Sequence, residues 1–329
     1  MLYKLASTRV YRAYYGGENI DRITGLDDCK ISRFPEDWLA SVTEAFNPDR
    51  KVEGEGLSRT EDGRYLKDII EEQKQYMLGA HTEMKLLFKM LDSAERLVIQ
   101  AHPTIPFAKE HFHSNYGKTE CWYLLNDGGS VYLGFKEGIT KEYWKQLFDK
   151  QDVQGMLDCL HKFQVKRGDM IFVAGGVPHA IGKGCFMAEL QEPTDLMVIS
   201  ERVTPSGVVL AEQKIHGGLG YEKMFDCFVY EGMKREEVQA RYFLIPQVVN
   251  DNRQVLVGEE TTNIFRLEQM KVFGKQVFET ANYGIVLVIG GEGIINQLDV
   301  KAGDRLFVPY EDRELICKGD MEFLLCSSV

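Results

Sequence analysis

The chain has 329 residues, 44% hydrophobic and 27% charged, which is enough apolar side chain to fill one large core or two ordinary ones and argues against disorder. Its formal charge of -11 argues against a nucleic-acid surface or an anionic membrane, because both select basic patches. The N-terminal MLYKLASTRVYRAYYGG lacks a signal-like apolar stretch and no run approaches the roughly eighteen apolar residues of a membrane span, so a cytoplasmic protein is expected.

Residues 1–60 mix short strand-like pieces with the turn signals Gly16-Gly17, Gly25 and Pro35. Residues 64–91 predict a helix pair, with Leu66, Ile69 and Ile70, then Met84, Leu87, Phe88 and Leu91, at three-to-four spacing around Gly79. From Leu97 the period changes to two, which puts Gln100 and His102 on one strand face; Lys118 and Glu120 share a face in the same way. An amide oxygen, an imidazole and a carboxylate from two such strands suit one divalent cation. Between them lies His111-x-His113, with Glu120 seven residues on; it is a second possible metal motif, or else a flexible loop over the site.

Residues 138–162 return to helical spacing through Tyr143, Leu147, Met156, Leu157 and Leu160, an excursion between strands. A Gly168-Asp169 turn then leads into the run Met170 to Ala174, and Gly175-Gly176-Val177-Pro178 delivers His179, a candidate fourth ligand. Residues 205–241 read as a connecting helical layer, and 242–329 as short strands separated by turns, among them ELICKG and MEFLLC. Gly303-Asp304-Arg305-Leu306-Phe307-Val308 echoes Gly168-Asp169-Met170-Ile171-Phe172-Val173, which predicts a second, related barrel. Past Pro309 that copy offers Tyr310, Glu311 and Asp312 and no histidine, so it is expected to be metal-free. The seven cysteines form no Cys-x-x-Cys pair and sit mostly among apolar neighbours, as free buried thiols do.

Taken singly, these site residues have ordinary alternatives: satisfied core histidines for His102 and His179, a surface ion pair for Lys118 and Glu120. Three segments in order nevertheless resemble the class I mannose-6-phosphate isomerases, which are zinc-dependent cupins: MKLLFKMLDSAERLVIQAHP (84–103), GKTECWYLL (117–125) and GDMIFVAGGVPHAIGKG (168–184). FPEDWLAS, near the N-terminus, resembles the family's early tryptophan-containing strand. The resemblance implies a mainly β fold of two cupin (jelly-roll) barrels plus a helical layer, with residues 1–241 as the catalytic barrel and 242–329 as its metal-free companion.

It further implies one zinc ion per chain on Gln100, His102, Glu120 and His179, with Lys118 and Glu189 as active-site residues. The implied reaction interconverts mannose 6-phosphate and fructose 6-phosphate through a cis-enediol. A small sugar phosphate would then be the partner, the chain being a monomer or a weak homodimer. One position departs from the pattern: the family's catalytic arginine, ten residues beyond Glu189, is Ile199 here, and Arg202 is the nearest arginine. A bulge at or after Pro193 would turn Arg202 inward to replace it. Without such a bulge, a non-catalytic or differently specific metal- or sugar-binding cupin is the alternative; an iron-dependent dioxygenase is a more distant one.

Overall fold

A computed structural model describes all of residues 1–329. Two antiparallel sheets form the first barrel. One has seven strands, in the order Phe243–Leu244, Met170–Val173, Glu120–Leu124, Phe186–Gln191, Leu87–Asp92, Glu36–Leu39 and Arg9–Val10. The other has five: Val198–Ile199, Gln100–Ala101, His179–Ile181, Ser130–Phe135 and Leu160–Gln164. Period-two alternation sorts their side chains. Leu91, Trp122, Leu124 and Met187 point from the larger sheet into a shared core with Val131, Leu133 and Ile181 from the smaller. Phe88, Met90, Ala188 and Leu190 point outward and pack against Leu267, Leu287 and Leu324 of the C-terminal segment.

Leu87–Asp92 overturns the helix expected over 84–91: it is a strand, buried along its whole length. A strand covered on both faces is apolar throughout, and a short continuous run fits helical spacing by coincidence. Upstream, the helices Leu66–Glu72 and Lys74–Leu78 are present and bury Leu66, Ile69, Ile70 and Leu78 in the same core. The helices Lys141–Lys150 and Val153–Asp158 cover the outer face of the five-stranded sheet, together with Glu212–His216 and neighbouring turns. No helix is long and apolar enough to cross a membrane.

The C-terminal segment forms an eight-stranded sheet built on three long strands, Phe265–Glu279, Gly284–Ile295 and Glu314–Ser328. ELICKG and MEFLLC, read as two strands, are therefore one. This sheet folds over on itself. Phe278 pairs with Leu315, eight residues from Phe323, a separation of about 26 Å along a flat strand; yet the Phe278 and Phe323 rings lie 5.8 Å apart. The fold falls at a row of glycines in register, Gly274 opposite Gly319 opposite Gly293. A Cβ on Gly293 would sit 2.4 Å from the Lys318 carbonyl oxygen, which only glycine avoids.

The internal echo is physical as well. In both copies the aspartate after a left-handed glycine accepts from a backbone N–H three residues upstream, Lys166 to Asp169 and Lys301 to Asp304, each at 2.9 Å. Where the first copy has Met170, the second has Arg305, which forms a buried 2.8 Å ion pair with Asp37 of the first barrel. The two barrels also exchange strands: Tyr3–Lys4 pairs with Phe307 and Leu306, while Phe243–Leu244 remains on the first barrel through Ile171 and Met170.

Candidate metal centre and its pocket

The two sheets of the first barrel meet at a cluster of polar side chains. Gln100 and His179 are register partners on adjacent strands of the smaller sheet, so they lie side by side on its inner face, with His102 next along. Gly176, at φ 86°, gives the turn that aims His179, and its N–H donates to the His102 carbonyl at 2.6 Å. Glu120 faces them from the larger sheet, accepting from the Trp122 indole at 3.1 Å. Ligand atoms of His102, Glu120 and His179 all lie within 4.8 Å of one another, and the three side chains are buried.

Each imidazole is oriented through its far nitrogen. Nδ1 of His102 lies 2.9 Å from the Leu196 carbonyl oxygen and Nδ1 of His179 lies 2.9 Å from that of Val177. These acceptors place the ring proton on Nδ1 and leave Nε2 with its lone pair on the side of Glu120, at 3.3 and 3.5 Å. Burial lowers both histidines, His179 to about 3, so the rings are neutral, as metal ligation requires. Burial alone would raise Glu120, but Lys118 and His102 hold it well below the usual carboxylate range. The Gln100 amide lies 3.3 Å from Nε2 of His179, and a half-turn of that amide presents its oxygen. Two neutral imidazoles, a carboxylate and an amide oxygen fit a divalent cation.

Lys118 and Glu189 adjoin this cluster. The Lys118 ammonium donates to Glu120 Oε2 and lies 2.8 Å from His102 Nε2, the distance in each case being 2.8 Å, and it is 3.8 Å from Glu189. Glu189 pairs directly across the sheet with Lys89, at 3.1 Å. Burial and then the charge of Glu120 push Glu189 up to about 8, against the pull of the two lysines.

The cavity beside the cluster is lined by residues whose functional position sequence reasoning missed, among them Arg12, Glu36, Lys89, Asp195 and Lys214. Arg12 donates to Glu36 at 3.0 Å and grips both oxygens of Asp195 at 3.1 Å. Glu36 also accepts from the Tyr14 hydroxyl at 2.7 Å and the Trp38 indole at 2.8 Å. One signal was available for Lys89, a lone charge within the apolar run LLFKML. Arg12 and Lys214 carry no comparable local mark.

Arg202 is not brought to the cavity. Its guanidinium stacks 4.6 Å from the Phe148 ring and 5.6 Å from that of Tyr221, beneath the helical layer. The chain leaves the seven-stranded sheet at Gln191 and joins the five-stranded one at Val198, so neither a continuous strand nor a one-residue bulge governs its facing. Ile199, paired with Gln100, lines the cavity instead. His111 ends a helix, Ile105–His111, with its ring 4.5 Å from Phe107, and His113 is exposed. Neither joins the cluster, and the segment expected as a flexible loop is partly helical.

Compared with known proteins, the chain is 28% identical to the mannose-6-phosphate isomerase of Streptococcus mutans over 98% of its own length and 96% of that protein's. The chain is thus similar, over nearly its whole length, to a mannose-6-phosphate isomerase. A probable mannose-6-phosphate isomerase of Bacillus subtilis, GmuF, is 27% identical over 73% of this chain and 74% of its own. The crystal structure of the mannose 6-phosphate isomerase from Bacillus subtilis superposes with a TM-score of 0.77 over 99% of both chains at 20% identity, so the two share a cupin fold. No family model matches the chain.

Proposed function

We propose that the protein interconverts mannose 6-phosphate and fructose 6-phosphate through a cis-enediol, with one zinc ion held by Gln100, His102, Glu120 and His179. The observation that carries this reading is the contact of a buried three-residue cluster able to hold a metal with Lys118, and of Lys118 with Glu189, both of which line the adjoining cavity. Zinc, when bound, supplies Lewis acidity toward the sugar's carbonyl and adjacent hydroxyl oxygens.

The chain's own residues do the rest. Glu189 is the group that carries a proton between C1 and C2. Its raised pKa lies in the range where a carboxylate both takes and returns a proton near neutrality. Lys89 and Lys118 hold its carboxylate in place from two sides. Lys118 also places an ammonium where negative charge develops on the enediolate oxygens, in a site closed to bulk water. Trp122 and the carbonyls of Val177 and Leu196 keep the ligating side chains in a single orientation.

A coupled assay with mannose 6-phosphate, alongside free mannose and other aldoses, tests the reading. Turnover of the phosphorylated hexose supports it, and a zinc-loaded protein inert toward every aldose would overturn it. One observation favours a second reading, a metal-dependent cupin of different specificity: Ile199 puts an aliphatic side chain at the position where the resemblance has an arginine, and Arg202 lies elsewhere.

A further inference from the structure

Five basic side chains line the cavity, Arg12, Lys89, Arg96, Lys118 and Lys214, and four of them are already neutralised. Arg12 is paired with Glu36 and Asp195, Lys89 with Glu189, Arg96 with Glu201 and Lys118 with Glu120. Lys214 is the exception. It is 8% exposed and has no carboxylate in ion-pair range; its ammonium donates to the carbonyl oxygen of Phe46 and lies 5.3 Å from the centre of that residue's ring. An ammonium has three donors, so two remain for something else.

The residues around Lys214 hold it at this place. The Phe46 N–H donates to Asp195 at 2.8 Å, and Asp195 is gripped by Arg12, so the carbonyl that anchors the lysine belongs to a loop fixed to the charge network. The helix that carries it, Glu212–His216, buries Ile215 in the layer over the five-stranded sheet. A buried ammonium with no carboxylate in direct contact, Asp195 acting on it only from longer range, costs stability, and such a charge persists where a ligand completes it. Its depressed pKa, about 8 with burial as the leading cause, is the cost expected of a charge kept ready in this way.

We infer that Lys214 is the anchor for the substrate's phosphate group, setting the pocket's preference for a phosphorylated over a free sugar. The inference rests on the isomerase reading for the identity of the sugar but not for the anion. Ile199, on the neighbouring strand, adds no charge, so the lysine's two free donors are the unneutralised positive charge that the cavity offers a dianion. A charge-assisted hydrogen bond in a buried site corresponds to about a tenfold to hundredfold difference in affinity.

Inorganic phosphate is the probe, titrated calorimetrically into the metal-loaded wild type and the Lys214→Met and Lys214→Arg variants, followed by the KM for mannose 6-phosphate. The expected result is phosphate binding by the wild type, at least tenfold weaker binding by Lys214→Met with KM raised to match, and recovery in Lys214→Arg. Thermal melting of Lys214→Met at or above the wild type shows that it is folded. Phosphate affinity unchanged in Lys214→Met, or no phosphate binding by the wild type, would overturn the assignment even if the protein proves an isomerase. Phosphate binding lost with Lys214→Met in a protein without isomerase turnover would instead leave the anion site standing and remove the isomerase reading.

Discussion

Arg12→Met probes the charge network behind the pocket. The guanidinium is 4% exposed, holds Glu36 at 3.0 Å and both oxygens of Asp195 at 3.1 Å, and lies 5.2 Å from the centre of the Trp38 ring. Methionine keeps most of the volume, so the loss is chiefly one of charge. Glu36 retains Lys89 at 3.6 Å and two neutral donors, whereas Asp195 retains the Phe46 N–H. Breaking a buried pair from one side costs about 3–5 kcal/mol, and the partners left to Glu36 put this case toward the lower end.

The pH dependence has a definite sign. Arg12 lowers both carboxylates in the folded state, so its contribution is fully present above the unfolded carboxylate pKa near 4 and is lost as pH falls through the folded values. Urea unfolding at pH 7 and pH 3, in chelator so that metal linkage does not intrude, should show the wild-type advantage shrinking at the lower pH. Because Asp195 adjoins Leu196, whose carbonyl orients His102, metal affinity should also fall by about tenfold. A destabilisation under about 1 kcal/mol at pH 7, or one indifferent to pH, would refute the reasoning.

His179→Ala should purify with less than about a tenth of the wild-type metal, read by elemental analysis; retention of a full equivalent would remove His179 from the ligand set. Arg202→Leu should leave turnover within about twofold and cost roughly 1 kcal/mol in urea for its two ring contacts, and a large loss of turnover would place that residue in the mechanism after all. Lys214→Met should be more stable than the wild type at pH 7 by at most about 3 kcal/mol, since the lysine's pKa drops from 10.5 unfolded to about 8 folded. That burden is present below pH 8 and vanishes above 10.5, so the two unfolding curves should converge in alkaline buffer. Gly293→Val should fail to accumulate as soluble protein or should melt far below wild type, because its Cβ would meet the Lys318 carbonyl; wild-type melting would mean that the fold-over of the sheet does not need glycine there.

The candidate metal cluster was legible because its parts follow local rules and the family resemblance joined them into one set. Gln100 and His102, and Lys118 and Glu120, share faces by period two, and the Gly-Gly-Val-Pro turn marks His179. The pocket's back wall was not legible. Arg12 meets Asp195 across 183 residues of sequence, and no spacing rule connects segments whose only relation is tertiary. Lys89 was hidden by a wrong period: read as helix, 84–91 gives no reason for a lysine to face Glu189. Arg202 failed for a related reason. Strand parity carries information only inside one sheet, and the chain changes sheets between Gln191 and Val198.

The pairing of Tyr3–Lys4 with Leu306 and Phe307 bears on how the molecule is made. Tyr3–Lys4 completes a sheet whose other half is synthesised some three hundred residues later, so this short strand stays unpaired until that segment has been made. Neither barrel can then be excised cleanly by cutting near residue 242, since each half would lose a strand that pairs with the other.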